Sequence, residues 1–271
     1  MSSDHELQIC CCKELSDLVY CREAQTLYDE SQRKGARLQQ TWPPSHGGGG
    51  FAALTAMVKS DGKDVMVVAF RGTTGSSEWA EYIKKFGGKP APIDGGADRG
   101  VYSVWTDNLD KLWTKKGTDG NTGTVPAGNT MTMTMKDSII CHLRRGKRVW
   151  LTGHSKGGAI ATTAAARLIC GQTSGMFEKQ PCHLSIVTFN SPKAFKGQFA
   201  EVYEDALRRF RLEHLRVEHK ADVVRHLPLK GLRHVGTKME VGQSFFDRCA
   251  ETTTAAGNES SQLIRYSRGA V

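Results

Sequence analysis

The chain mixes two hydrophobic periods, one typical of amphipathic helices and one typical of strands. Residues 13–40 are polar with leucines at helical spacing, which predicts an amphipathic helix. Residues 41–50 contain Pro43-Pro44 and four consecutive glycines, which predict a loop. We therefore expect residues 1–50 to form an N-terminal helical segment that ends in a glycine-rich loop.

Two apolar runs follow, and the turn between them predicts a β-hairpin. Residues 51–57 and 65–70 flank Ser60-Asp-Gly-Lys63, and an Asp-Gly pair is typical of tight hairpin turns. Residues 87–99 and 116–130 are rich in glycine, so both are predicted loops, the second an insertion at the surface.

Further along, strand-like and helix-like patterns alternate. Residues 131–143 begin with a strand-like alternation but continue with helical spacing, and we interpret them as a helix. The other predicted elements are strands at 148–152, 183–189, 215–224 and 232–241 and helices at 158–170 and 195–210. Such alternation predicts an α/β fold, in which helices flank a mainly parallel central sheet. Residues 51–271 are expected to form this single domain.

The composition of the chain limits the kinds of partner and location that we expect for it. The 271 residues are 39% hydrophobic and 24% charged, and no run of about 20 apolar residues predicts a membrane-spanning helix. The N-terminus lacks the basic start and apolar core of a secretory signal, so we expect a cytoplasmic location. The net charge of +9 favours anionic surfaces, including transient contact with a phospholipid membrane. No aromatic-and-basic motif of a nucleic-acid-binding module is present, so no nucleic acid partner is expected.

Eight cysteines are present, and they are expected to be reduced thiols. The cluster Cys10-Cys11-Cys12 has three interpretations: it ligates a metal, it carries acyl chains, or it has no function. No cysteine or histidine spacing supports a zinc site, so we expect no metal.

The sequence Gly153-His-Ser-Lys-Gly157 fits Gly-x-Ser-x-Gly and lies between a predicted strand and a predicted helix. A serine at such a turn presents its hydroxyl outside the fold, with helix amides behind it. The alternative is a serine that only caps the helix. The strand-to-helix context favours Ser155 as a nucleophile.

Such a serine needs an acid, a base and donors for an oxyanion. Asp222, near the end of a predicted strand, is the candidate acid, or else it caps a turn. The candidate base is His234, which a loop can fold back; otherwise it is an ordinary, partly buried histidine. His226 lies four residues after Asp222, about 13 Å away in an extended chain, and His154 adjoins the serine but points elsewhere.

The oxyanion donors are expected in two places. One is the backbone N–H of Lys156, the residue after the nucleophile. The other is the turn after the strand at residues 67–70, where Thr73 offers both a backbone N–H and a hydroxyl. A plain β-turn is the alternative interpretation of that segment.

Four segments together resemble the class 3 (fungal-type) lipases. They are Val-Ala-Phe-Arg-Gly-Thr ending at Thr73, Gly153 to Gly158, Val-Thr-Phe-Asn-Ser-Pro starting at Val187, and Asp-Val-Val-Arg-His-Leu-Pro starting at Asp222. The resemblance spans about residues 51–241. It implies an α/β-hydrolase-like fold and hydrolysis of lipid carboxylic esters, acylglycerols or phospholipids, through an acyl-enzyme without a metal or organic cofactor.

The same resemblance assigns roles to residues. It implies that Ser155 is the nucleophile, Asp222 the acid, and Thr73 and Lys156 the oxyanion donors. It also matches residues 77–83 to a lid, with Trp79 at the lid tryptophan.

The sequence departs from the family pattern at two places. Position 156 usually carries an apolar residue, and the family's catalytic histidine lies well after the Asp-Val segment, whereas this sequence has no histidine after His234. His234 itself resembles a non-catalytic histidine of the family. Three interpretations follow: His234 has become the base, catalysis is impaired, or a C-terminal piece is lacking. The leading hypothesis is a serine hydrolase of lipid esters; the alternative is a lipase-fold pseudoenzyme that binds lipid or a protein partner.

Overall fold

The computed structural model describes residues 3–43, 51–74, 90–91, 100–119, 133–171, 175–179, 183–222, 224–226 and 231–249. Its helices are α1 (Ser3–Leu18), α2 (Ala24–Arg33), α3 (Ser103–Trp113), α4 (Met135–Arg144), α5 (Lys156–Cys170), α6 (Gly175–Lys179), α7 (Gly197–Phe210), a 3-10 turn η1 (Val224–His226) and α8 (243–249). Its strands are β1 (Arg37–Trp42), β2 (Ala53–Ser60), β3 (Lys63–Phe70), β4 (Pro90–Ala91), β5 (Val101–Tyr102), β6 (Thr118–Asp119), β7 (Arg148–His154), β8 (Leu184–Phe189), β9 (Phe195–Lys196), β10 (Glu213–His219), β11 (Leu232–Arg233) and β12 (Thr237–Val241).

The main sheet has the order β12-β10-β8-β7-β3-β2-β1-β6. Strands β3, β7, β8, β10 and β12 are parallel, and β2, β1 and β6 extend the sheet antiparallel. Helices α1, α2 and α8 pack on one face, and α3, α4, α5 and α7 pack on the other. The predicted α/β fold with a mainly parallel, helix-flanked sheet is confirmed.

The predicted hairpin is confirmed as β2 and β3. Ser60 pairs with Lys63, and Asp61 and Gly62 have φ angles of 51° and 69°. Two consecutive residues with positive φ are typical of a type I′ turn, which Asp-Gly favours. Local turn chemistry therefore fixes the register of these two strands.

The prediction of one helix over residues 13–40 is wrong. The chain forms α1, α2 and then β1, which pairs with β2 inside the main sheet. Helix α2 ends before Gly35, whose φ is 64°, a left-handed conformation that ends helices and suits glycine. Trp42, in the predicted loop, is fully buried and donates its indole N–H to the Lys115 carbonyl at 2.8 Å. Residues 44–50 lie outside the described residues.

Several other strands and helices begin or end at residues different from those predicted. The strand predicted at 215–224 ends at His219, and the one predicted at 232–241 divides into β11 and β12 around Gly236, whose φ is 82°. The loop predicted at 116–130 includes the short strand β6, and residues 120–130 lie outside the described part of the chain. The helix predicted from residue 131 begins at Met135.

The cysteine cluster belongs to α1, and its side chains are part of the core between α1 and the main sheet. Cys10 and Cys12 have no exposed surface, and burial raises the pKa of the partly exposed Cys11 to about 12. Since the thiolate is the form that ligates metals and attacks acyl donors, this cluster is poorly suited to both. Within the described ranges, no group of three metal-ligating side chains occurs, and no helix has the length and apolarity to cross a membrane.

The β7–α5 crossing has no room for side chains. A Cβ on Gly157 would lie 2.0 Å from the Phe70 carbonyl oxygen of β3, and one on Gly153 would lie 2.3 Å from the Gly157 carbonyl carbon. Both distances are far below van der Waals contact, so glycine lets α5 pack directly on the ends of β3 and β7. This contact fixes where α5 begins.

We expect Gly157→Ala to destabilise the fold by about 2 kcal/mol or more, because overpacking against backbone forces the helix to shift. Gly175→Ala is the matched control, since a Cβ there meets nothing within 4 Å. Urea denaturation of both variants measures the difference. Equal midpoints for the two variants would show that the crossing tolerates a side chain.

Candidate active site

Ser155 occupies a strained turn between β7 and α5. Its φ of 54° and ψ of −128° are uncommon for a residue with a side chain. The turn is held because Ser155 N donates to Phe189 O and Gly158 N donates to Ser155 O, each at 2.9 Å. Strain of this kind is maintained only where surrounding structure imposes it, and it is found at nucleophile elbows.

The Ser155 hydroxyl is buried and has no partner. The residue is 5% exposed, and its Oγ forms no hydrogen bond with any described residue. An unpaired buried hydroxyl costs free energy, so such groups are rare outside functional sites. Helix α5 begins at the next residue, Lys156, and the first N–H groups of a helix point outward without an intrahelical acceptor. The site therefore combines an unpartnered hydroxyl with the N-terminal end of a helix, where an anion can be stabilised.

Thr73 lies on the segment that passes beside this turn. Phe70, the last residue of β3, pairs with Gly153, and a Cβ on Gly72 would lie 2.7 Å from His154 O. The Thr73 Oγ1 is also buried without a hydrogen-bond partner in the described part of the chain. The structure thus brings the predicted oxyanion segment to the elbow and leaves two hydroxyls there unsatisfied.

Asp222 lies at the same edge of the sheet. Its backbone N donates to His219 O at 3.1 Å just after β10 ends, and its Oδ1 accepts from Val224 N at 2.7 Å. Asn190, with φ of 46°, accepts from His219 N through its Oδ1 at 2.7 Å and so joins the ends of β8 and β10. Because β7, β8 and β10 are parallel, their carboxyl ends carry Ser155 and Asp222 on one edge.

His234, the predicted base, lies elsewhere. It follows β11, between Arg233, whose Nη1 is 3.0 Å from Glu201 Oε1, and Gly236, whose N donates to Glu204 Oε1 at 2.7 Å. This segment runs along α7 towards the amino end of β12.

The surroundings of His214 give the position of His234. Burial first, and then the charges of Arg216 and His234, lower the pKa of His214 to about 3, so His234 lies near His214. His214 is level with Leu151 across β8, four residues before Ser155. That offset is about 13 Å along the strands and about 10 Å across them. Gly236, two residues after His234, packs against the His214 ring, and the Ser155 hydroxyl forms no hydrogen bond with any described residue.

Three other histidines lie near the carboxyl edge. The Nδ1 of His154 is 3.3 Å from Tyr20 OH on the α1 side, where burial lowers its pKa. His219 accepts from Ala221 N at 3.3 Å and contacts the Phe246 ring. His226 is exposed and ends the 3-10 turn that begins just after Asp222. The extended path assumed for His226 is wrong, since a 3-10 turn rises only about 2 Å per residue.

The N-terminal helix supports the elbow through contacts that no sequence pattern predicts. Ser16 Oγ donates to Cys12 O at 2.7 Å and lies 2.9 Å from Thr152 Oγ1 on β7. Tyr20 contacts both His154 and the Gly72 segment. Trp79, the predicted lid tryptophan, lies outside the described residues.

Comparison with known proteins places these features in a family. The family model for lipase (class 3) matches residues 67–232. Phospholipase A1-II 7 of Oryza sativa subsp. indica is 26% identical over 210 residues, which cover 68% of this chain and 46% of that protein. The chain thus spans about half the length of the curated relatives it matches.

Two solved structures share the fold. The lipase from Rhizopus microsporus var. chinensis is 19% identical with a TM-score of 0.58, over 89% of this chain and 76% of that one. A triacylglycerol lipase whose catalytic centre is a serine protease triad is 18% identical with a TM-score of 0.62, over 89% and 82%. Since the family match also covers more than half of the sequence, this chain belongs to the class 3 lipase family.

Proposed function

We propose that this protein is a serine hydrolase that cleaves carboxylic esters of lipids. The observation that carries the proposal is the strained Ser155 turn with its unpartnered, buried hydroxyl at the start of α5. The family match supports it, as do relatives named phospholipase A1 and triacylglycerol lipase. Acylglycerols and phospholipids are therefore the proposed substrate classes.

The proposed chemistry proceeds in two acyl-transfer steps. Ser155 Oγ attacks the ester carbonyl while an imidazole takes its proton, and the tetrahedral oxyanion accepts hydrogen bonds from the N–H groups of Lys156 and Thr73. The Thr73 hydroxyl is a third donor. The imidazolium then protonates the leaving alcohol, and water attacks the acyl-enzyme by the same route in reverse.

We assign the base to His226, oriented by Asp222. Asp222 follows β10 at the carboxyl edge of the sheet, where Ser155 lies, and His226 ends the turn η1, whose first residue, Val224, donates its N–H to Asp222. The Asp222 carboxylate already faces this turn because its Oδ1 binds Val224 N. His234 lies two residues before Gly236, which packs against His214 near the amino end of β10, and it is not assigned this role.

Contact with membranes is a further part of the proposal. The net charge of +9 supports transient binding to an anionic lipid surface, which would present the ester at high local concentration. The cytoplasmic location and the lid role of Trp79 stay predictions.

A fluorophosphonate probe tests the nucleophile. We expect covalent labelling of the intact protein and complete loss of labelling in Ser155→Ala, because the probe is attacked only by an activated serine. Ser191→Ala is the control, since Ser191 is equally buried beside α5 but donates to Pro192 O and has no catalytic role here. Persistent labelling of Ser155→Ala, or an unlabelled intact protein, would refute the proposal.

Ester turnover distinguishes the histidines. We expect His226→Ala to lower kcat/KM for a short-chain ester by about 10³-fold, as loss of a general base does. His234→Ala should stay within a few-fold of the parent, with both variants checked for folding by circular dichroism. A large loss in His234→Ala with an unaffected His226→Ala would reverse the assignment.

Thr73→Ala should lower kcat with little change in KM, because the hydroxyl acts on the oxyanion and not on the bound ester. Loss of one oxyanion donor costs about 10²-fold or more. Thr73→Ser keeps the donor and is the matched control. A change confined to KM would place Thr73 in substrate binding instead.

A further inference from the structure

A second concave site lies at the opposite edge of the sheet from Ser155. This amino-edge cavity has a volume of about 420 Å³. It is lined by the first residues of three parallel strands, Arg148, Leu184 and Glu213, and by Gln8 from the first turns of α1. Its volume falls in the range of small-molecule sites. No step of the proposed hydrolysis uses it.

Gln8 gives the cavity an unsatisfied donor. The residue is 8% exposed, and its Nε2 has no hydrogen-bond partner in the described part of the chain. A buried amide that pairs with nothing is costly, and folded proteins retain few of them. The Gln8 amide therefore suits an acceptor atom that enters the cavity from solution.

The charges that line the cavity are mainly positive. Of the described residues that line it, Glu213 alone carries a carboxylate, and this lies 3.0 Å from His5 Nε2. Asp61, outside the lining, lies 3.1 Å from Arg148 Nη1. Arg211 projects from the left-handed end of α7, with φ of 54°, and forms no ion pair with a described residue. The N-terminal end of α1 adds partial positive charge.

We propose that the amino-edge cavity binds a small, soluble phosphate monoester. Arg148 and Arg211 offer planar guanidinium groups, which match phosphate oxygens in pairs. Gln8 donates to the organic part of the ligand, and Trp150 and Leu184 form an apolar wall beside it. This proposal is independent of the hydrolase function, since it uses none of the residues at the carboxyl edge.

Isothermal titration calorimetry with glycerol 3-phosphate, inorganic phosphate and glycerol tests whether the amino-edge cavity binds a phosphate monoester. We expect saturable binding of glycerol 3-phosphate, weaker binding of phosphate and none of glycerol. Arg148→Gln and Arg211→Gln should each weaken binding by about 10-fold or more, as loss of a charge-assisted pair does. Arg208→Gln is the matched control, because Arg208 is on the same helix but pairs with Asp205 outside the cavity.

The variant Gln8→Leu tests whether the unpaired Gln8 amide serves ligand binding or is only a defect in packing. It should raise the Tm of the free protein, because it removes an unpaired buried amide, and it should reduce the Tm increase that glycerol 3-phosphate produces. No saturable binding at millimolar concentrations, or equal binding by the arginine variants and Arg208→Gln, would overturn the proposal. Binding only to phosphatidic acid in phosphatidylcholine vesicles would overturn the soluble ligand in favour of a lipid headgroup.

Discussion

Where α5 crosses β3 and β7, backbone packs directly against backbone, and this contact positions the candidate active site. Gly157 and Gly153 leave no space for a Cβ, so the helix begins one residue after the strand ends. Ser155 is forced into a positive-φ turn between them. The same contact brings the end of β3 beside the elbow, which places Thr73 and the first N–H groups of α5 around one point. The strained Ser155 turn and the helix end beside it thus result from one packing requirement.

The parallel strands divide the molecule into two chemically distinct edges. The carboxyl edge carries Ser155, Asp222 and the exposed His226, where side chains and loops converge at strand ends. The amino edge carries an open, mainly positive cavity beside the start of α1. Helix α1 contacts both edges, because its later turns support β7 through Ser16 and its first turns line the cavity. The N-terminal helix is therefore part of the core.

The features predicted correctly from the sequence are those that local chemistry determines. The Asp61-Gly62 turn defines a hairpin, and the glycines around Ser155 define an elbow, without knowledge of distant residues. The features missed depend on tertiary context. Residues 37–42 become a strand because β2 offers an edge to pair with, which overrides the weak helical pattern. The spacing of residues does not reveal the path of the chain between β10 and β12, so it could not decide between His226 and His234. His226 was set aside because its segment was assumed to be extended, whereas residues 224–226 form a 3-10 turn.

The role of Ser155 can be tested by solving the structure of the protein after reaction with an alkyl fluorophosphonate. We expect a phosphorus atom bound to Ser155 Oγ, with its phosphoryl oxygen about 2.7–3.1 Å from the backbone nitrogens of Lys156 and Thr73. The His226 imidazole is predicted within hydrogen-bond distance of Ser155 Oγ. A phosphoryl oxygen that points away from the start of α5, or an adduct on another residue, would contradict the account.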